Sequence, residues 1–252
     1  MKYPSKLLYP LDIDPRNSEF AGPYEIGYEH LFQLFPNLDH QFVPLEVGAM
    51  IENGGISHLE LTILAVLTRW LQPKRILEIG TFHGWTSHNL ALQLDDDAQL
   101  VTINLPDGQR PRLNSDAWNA RYFPVSEPQL LFEGHATANR IIQIKADTAN
   151  LNANDFSDKF DLIFIDGSHS FAYVENDTQL ALSIANEKAI ILWHDYGKPA
   201  HWAGVTEYLH RSSREGKLWP LYWLHYTDLQ TSLVLYIRGL KFSNISMLPP
   251  QP

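Results

Sequence analysis

Two apolar runs each end in an aspartate. The first is Phe160-Asp161-Leu162-Ile163-Phe164-Ile165-Asp166-Gly167-Ser168-His169-Ser170, where a glycine turns the chain after Asp166 and a histidine stands three residues on. The second, Ile190-Ile191-Leu192-Trp193-His194-Asp195-Tyr196-Gly197, repeats the form with Asp195. If both runs are neighbouring strands, Asp166 and Asp195 lie side by side, and two adjacent carboxylates need a cation or a proton between them. A divalent metal suits that place, and a chain without cysteine favours a hard, Mg2+-like ion over zinc. An imidazole ordinarily titrates near neutrality, so His169, close to Asp166, suits a general base. Each residue also has a plainer reading. Asp195 can be a strand-end or helix cap, His194 a satisfied half-buried histidine, and His169 a packing or capping residue of the next helix.

A second constellation is Glu78-Ile79-Gly80-Thr81-Phe82-His83-Gly84, an E-x-G-x-x-x-G pattern. Its glycines let the backbone turn tightly against a ligand, and the N-terminus of the following helix favours a carboxylate. Phe82 stands at the second glycine position of the dinucleotide fingerprint G-x-G-x-x-G, which disfavours a nicotinamide cofactor. Asn104, in Val101-Thr102-Ile103-Asn104-Leu105-Pro106, ends another apolar run and is in reach of ribose hydroxyls, a role more often filled by an acid. Asp147, after Ile144-Lys145-Ala146, can accept from an adenine amino group or cap a turn. His83, His88, His201 and His210 follow no ligand spacing and read as surface or packing residues.

These residues need a scaffold that gathers strand ends. Strands are expected at 75–79, 100–103, 141–144, 162–165 and 189–193, as short, nearly continuous apolar runs of the kind buried on both faces. Helical patterns fall at 85–94 and 173–185, and at 57–70, where Ser57 and Glu60 form a capping-box pattern closed by Pro73. Residues 218–225 and 232–237 read as an antiparallel hairpin at one sheet edge. The whole predicts an α/β fold: one doubly wound, mostly parallel, seven-stranded sheet that binds its ligand beyond the carboxyl ends of its strands. Residues 1–55 are an irregular arm, 56–239 the ligand-binding domain and 240–252 a frayed tail; 106–134 fits no element and suits a lid or substrate loop.

Bulk properties narrow the function. Of 252 residues, 44% are apolar, with 12 Phe, 11 Tyr and 7 Trp, which is the aromatic mass of a folded chain. Trp193, Trp202, Trp219 and Trp223 read as core or a dimer contact, so a homo-oligomer is allowed. A net charge of -10 argues against binding a nucleic-acid backbone. No apolar stretch approaches a membrane span, and no apolar signal segment follows Met1, so a cytoplasmic location is expected.

The ordered set ILEIGTFHGWTS, VTINLP, FDLIFIDGSHS and ILWHDYG resembles the class I S-adenosylmethionine-dependent methyltransferases over about residues 56–238, nearest the macrocin-type and more distantly the catechol-type O-methyltransferases. The resemblance implies a Rossmann-like sheet and S-adenosylmethionine held by Glu78, Gly80, Thr81, Gly84, Asn104, Asp147 and Asp166. It further implies Mg2+ on Asp166 and Asp195, with His169 as the base. Asn104 replaces the family's ribose-binding acid. Tyr196 stands where catechol-type members carry an amide or acid ligand. The acceptor implied is a hydroxyl of a sugar, natural product or phenol-like small molecule. A nicotinamide-dependent oxidoreductase and a non-catalytic cofactor-binding protein are the alternatives.

Overall fold

The computed structural model describes residues 23–27, 31–32, 34–47, 55–113, 130–197, 203–226 and 229–239. Its central feature is one sheet in the order β1-β7-β8-β6-β5-β2-β3-β4. The strands are β1 (Tyr24–Gly27), β2 (Arg75–Ile79), β3 (Gln99–Asn104), β4 (Ile141–Lys145), β5 (Phe160–Ile165), β6 (Ala185–Trp193), β7 (Leu221–Tyr226) and β8 (Leu229–Ile237). Pairs among β2 to β6 are parallel, and β8 runs antiparallel to both β6 and β7. The seven expected strands are therefore present. The arm, expected to be irregular, adds an eighth: β1 pairs parallel with β7 and takes the rim, so the β7–β8 hairpin is not the sheet edge. The expected tail, 240–252, lies outside the described residues.

Among the described residues, the sheet is covered by α1 (His58–Leu71), α2 (Trp85–Ala91), α3 (Phe171–Ile184) and α4 (Ala203–Arg214). Helix α1 starts where the sequence indicates, since Ser57 and Glu60 form a reciprocal capping box. Along each strand, residues alternate between two cores. Ile76, Leu100, Leu162, Phe164 and Leu192 pack under α1 and α2, whereas Leu77, Val101, Ile163, Ile165 and Trp193 pack under α3 and α4. This period of two on a sheet covered on both sides explains why its strands read as unbroken apolar runs. Leu31, Phe35 and Leu38 join the α1–α2 core, so this part of the arm folds with the sheet. Trp193 and Trp223 belong to the opposite core, where the indole of Trp193 donates to Thr178 Oγ1 at 2.9 Å. Helix α4 had no counterpart in the sequence reading; Trp202 and His201 just before it lie outside the described residues.

Chain order reverses between β2 and β5, because β3 and β4 extend the sheet one way and β5 and β6 the other. A crevice opens at such a switch point, beyond the carboxyl ends of the strands. Among the described residues, no helix is long and apolar enough to cross a membrane.

Candidate active site

Backbone ladders continue past the strand ends and hold them in register. Gly80 N donates to Ile103 O at 2.8 Å, Asp166 N to Ile79 O at 2.8 Å and His194 N to Ile165 O at 3.1 Å. The β2 and β5 ends come so close that a Cβ on Gly80 would stand 2.6 Å from the carbonyl carbon of Asp166. Gly80, at φ 103°, is thus required by the neighbouring strand as well as by the turn.

Asp166, His169, His194 and Asp195 converge over β5 and β6. His169 Nε2 lies 2.6 Å from Asp195 Oδ2. His194 Nδ1 lies 3.1 Å from Asp166 Oδ1 and 3.3 Å from Asp195 Oδ2, and on its other side Nε2 meets Glu60 Oε2 at 3.3 Å. Asp195 adopts the left-handed conformation, φ 64°, which aspartate tolerates better than most residues and which turns its carboxylate back toward His169. The four groups line a small cleft shared with Val174 and Val205.

The electrostatics follow from burial and pairing. Burial disfavours a charged His194, yet the Asp166 and Asp195 carboxylates outweigh it and hold the imidazole well above its ordinary range. Burial also opposes ionisation of Asp195, but His194 and His169 hold its carboxyl well below the usual range. Asp166 is pushed up, chiefly by burial, with His194 opposing and the Asp195 charge adding. The positive charge that sequence reasoning required between the aspartates is thus supplied in this structure by His194.

His194 is in turn oriented from below. Burial alone would raise Glu60, but His194, Ser57 and Ser232 more than offset it and keep its carboxyl well below the normal range. Glu60 Oε1 accepts from Ser232 N at 2.6 Å and Oγ at 2.8 Å, and Oε2 accepts from Ser57 Oγ at 2.6 Å. The sequence reading had Glu60 only as half of a capping box; no local signal shows that it also supports a histidine 134 residues away.

On the glycine-turn side the expected residues divide. Gly84, at φ 75°, starts α2. A Cβ there would meet the Phe132 ring at 2.7 Å, so the space beside Gly84 belongs to a side chain rather than to open ligand volume. Gly84→Val would therefore strain the fold itself and is not a clean test of ligand binding. Thr81 is buried, with Oγ1 2.7 Å from Thr102 Oγ1; its side chain faces the sheet, not a ligand. Glu78 lies fully buried beneath the turn, accepting from Ser87 Oγ and, at 2.5 Å, from Thr102 Oγ1. Burial, reinforced by the Asp166 charge and opposed by those two hydroxyls, pushes its carboxyl up to about 8.

Asn104 is half-buried at the end of β3, and among the described residues its amide makes a long 3.4 Å contact to Leu105 O, a weak bond that hydroxyls in the crevice can replace. Asp147 differs from the adenine-binding expectation. Its Oδ1 accepts from Ala149 N at 2.9 Å, its Oδ2 from Arg112 N at 2.7 Å, and Tyr173 Oη lies 2.9 Å from each oxygen, so Asp147 is a turn cap with its acceptors occupied. Tyr196 turns away from the aspartates, with its hydroxyl 2.8 Å from His210 Nε2. Of the 106–134 segment, 106–113 and 130–134 are described; Leu131 N donates to His83 O at 2.9 Å and ties the later part to the glycine turn.

Residues 77–196 match a family model described as a methyltransferase domain. Among solved structures, the chain is similar to the O-methyltransferase TomG from Streptomyces achromogenes, involved in tomaymycin synthesis and solved in complex with SAM. That match has a TM-score of 0.54 and 21% identity, and covers 84% of this chain and 98% of that one. The O-methyltransferase from Bacillus cereus, in complex with SAH, matches with a TM-score of 0.54 and 15% identity over 83% and 89% of the two chains. SAH-bound methyltransferase PaMTH1 from Podospora anserina gives 0.51 and 19% over 75% and 81%. The span matched to a methyltransferase domain contains the glycine turn at the β2–β5 switch point, and the chain has the fold of these solved methyltransferases.

Proposed function

We propose that the chain transfers the methyl group of S-adenosylmethionine to a hydroxyl oxygen of a small molecule, a sugar, natural product or phenol-like compound, with His169 as the base. The observation that carries this reading is the 2.6 Å pairing of His169 Nε2 with Asp195 Oδ2, one strand over from the glycine turn. Two features support the cofactor there: the left-handed Gly80 and Gly84 let the chain turn tightly at the switch point, and Asn104 offers an amide to ribose hydroxyls. When bound, S-adenosylmethionine supplies a methyl group on a sulfonium, ready for in-line displacement.

Asp195 accepts the Nε2–H of His169, which fixes the tautomer whose Nδ1 carries the lone pair. A hydroxyl held at Nδ1 gives its proton to the imidazole as its oxygen takes the methyl. Asp195 stabilises the imidazolium that results. Glu60 and His194 keep Asp195 and Asp166 in place from below.

Donor atoms of Asp166, His169 and Asp195 lie within 4.8 Å of one another, so the set also fits a divalent cation of the Mg2+ class, held chiefly by the two carboxylates. When bound, such an ion would lower the pKa of the acceptor hydroxyl. The test compares wild type with His169→Ala, using radiolabelled cofactor and a panel of hydroxyl compounds. His169→Ala is expected to lower kcat by about 10²–10⁴ with little change in cofactor affinity. Wild-type kcat in that variant at saturating acceptor would remove His169 from the mechanism. Full activity after exhaustive chelation would remove the metal.

A further inference from the structure

Away from the proposed catalytic centre, three segments bring Glu46, His88 and His135 together, with one ligand atom from each within 4.8 Å of the others. We infer that this cluster is a binding site for a borderline divalent metal ion such as Zn2+, stapling the arm and the 130–135 segment to helix α2.

The central residue is His88, one turn into α2 and only 3% exposed. Its Nδ1 lies 2.8 Å from Thr137 Oγ1, while its Nε2 is buried with no hydrogen-bond partner. With Nδ1–H donated to the threonine, Nε2 carries a buried lone pair, and Glu46 Oε2 lies 3.0 Å away but off the line of a hydrogen bond. A lone pair beside a carboxylate oxygen, both turned to a common point, is an arrangement that a cation between them satisfies. A partner fixing the tautomer from behind is the usual arrangement around a metal-bound histidine. His135 Nδ1 approaches the same oxygen at 3.7 Å, and the two imidazole rings stand 4.7 Å apart.

The spacing suits a tetrahedral ion. With metal–ligand bonds of about 2.0–2.1 Å, tetrahedral ligand atoms sit roughly 3.3 Å apart, and the two distances to Glu46 Oε2 bracket that value. Two imidazoles and one carboxylate favour zinc-class ions over Mg2+, which prefers oxygen. Glu46 and His135 are half exposed, so the fourth position opens to water. The scaffold is built: Glu46 N donates to Asn89 Oδ1 at 2.9 Å, Glu46 O accepts from Trp85 Nε1 at 2.9 Å, and Gln93 Nε2 donates to Pro44 O at 2.7 Å. Residues 44–46 are thereby strapped along α2 without the metal. In sequence His88 reads as a surface or packing residue, because its two partners lie 42 and 47 residues away, beyond any local ligand spacing.

The test is calorimetric titration of the chelator-stripped full chain with Zn2+, together with Co2+ absorption spectra. Glu46→Gln and His135→Ala alter exposed side chains and should keep the fold. Each is expected to abolish one zinc equivalent and the matching Co2+ d–d bands, while Asp166→Asn leaves that equivalent in place. Thr137→Val is expected to weaken it about 10–100-fold, the usual effect of losing a residue behind a metal ligand. Absence of stoichiometric Zn2+ binding, or retention of all binding in Glu46→Gln and His135→Ala, would overturn the site.

Discussion

Glu78 supports a quantitative prediction, because the structure fixes both its environment and the sign of its effect. Its carboxyl is fully buried, accepts two hydroxyl hydrogen bonds on Oε2 and leaves Oε1 without a partner. Folding raises its pKa from 4.5 to about 8, chiefly through burial. Between those values the native chain keeps a proton that the unfolded chain has released. The contribution to stability is therefore complete below pH 4.5, falls by about 1.4 kcal/mol per pH unit and is lost above pH 8. Across the window the loss is roughly 5 kcal/mol. Glu78→Gln removes the titration and keeps the shape. Urea unfolding of both proteins from about pH 5 to about pH 9 should show the variant gaining on wild type by several kcal/mol as pH rises. Raised acids common to both proteins, such as Asp177 at about 6, cancel in the difference. Cofactor affinity should change little, since Glu78 lies beneath the turn rather than on its surface. Parallel stability curves would show that Glu78 is ionised in the native protein and that the burial reasoning is wrong.

Gly204, at the start of α4, packs against the turn that carries His169, and a Cβ there would stand 2.7 Å from the carbonyl carbon of Ser170. Gly204→Ala should displace that turn and lower kcat about 10²-fold while cofactor affinity holds, as steady-state kinetics and calorimetry would show. Unchanged kcat would mean that the turn relaxes freely. Asn104→Ala should weaken S-adenosylmethionine binding by about 1 kcal/mol, roughly fivefold, and Asn104→Asp should restore or exceed wild-type affinity. Equal affinities across the series would exclude residue 104 from the ribose site. Asp195→Asn should cost as much kcat as His169→Ala if the pair acts as a unit, and the double variant should cost little more; additive losses would separate their roles.

The sheet was legible because its strands obey one rule throughout. Arg75–Ile79 and Phe160–Ile165 are mainly apolar and short, are bounded by turn residues, and are buried or half-buried on both faces. The capping box at Ser57 was legible for a similar reason, since its partners are three residues apart. Strand β1 was not. Four residues of the arm, Tyr24–Gly27, have no period to read, and only the rim of β7 makes them a strand. Helix α4 was missed because its polar positions hide a narrow apolar stripe of Val205, Tyr208 and Leu209, which becomes a face only against α3 and β6.

The candidate site divides along the same line between local and distant partners. Asp166, His169 and Asp195 could be found because each follows an apolar run that announces a strand end. Asp147, which reads in sequence either as an adenine contact or as a turn cap, shows the converse. A carboxylate at a strand end looks the same in sequence whether its acceptors face a ligand or, as here, Ala149, Arg112 and Tyr173. The Glu60–His194 pair lies on the opposite side of this problem, since its members are 134 residues apart and Ser232 is 172 residues from Glu60. Burying a carboxylate at 4% exposure is tolerable only when each oxygen is paired, and here one face is met by the helix cap and the other by β8. The capping box thus does two jobs with one residue. It starts α1, and it fixes the imidazole that neutralises both aspartates, so the geometry of the candidate catalytic centre depends on where that helix begins.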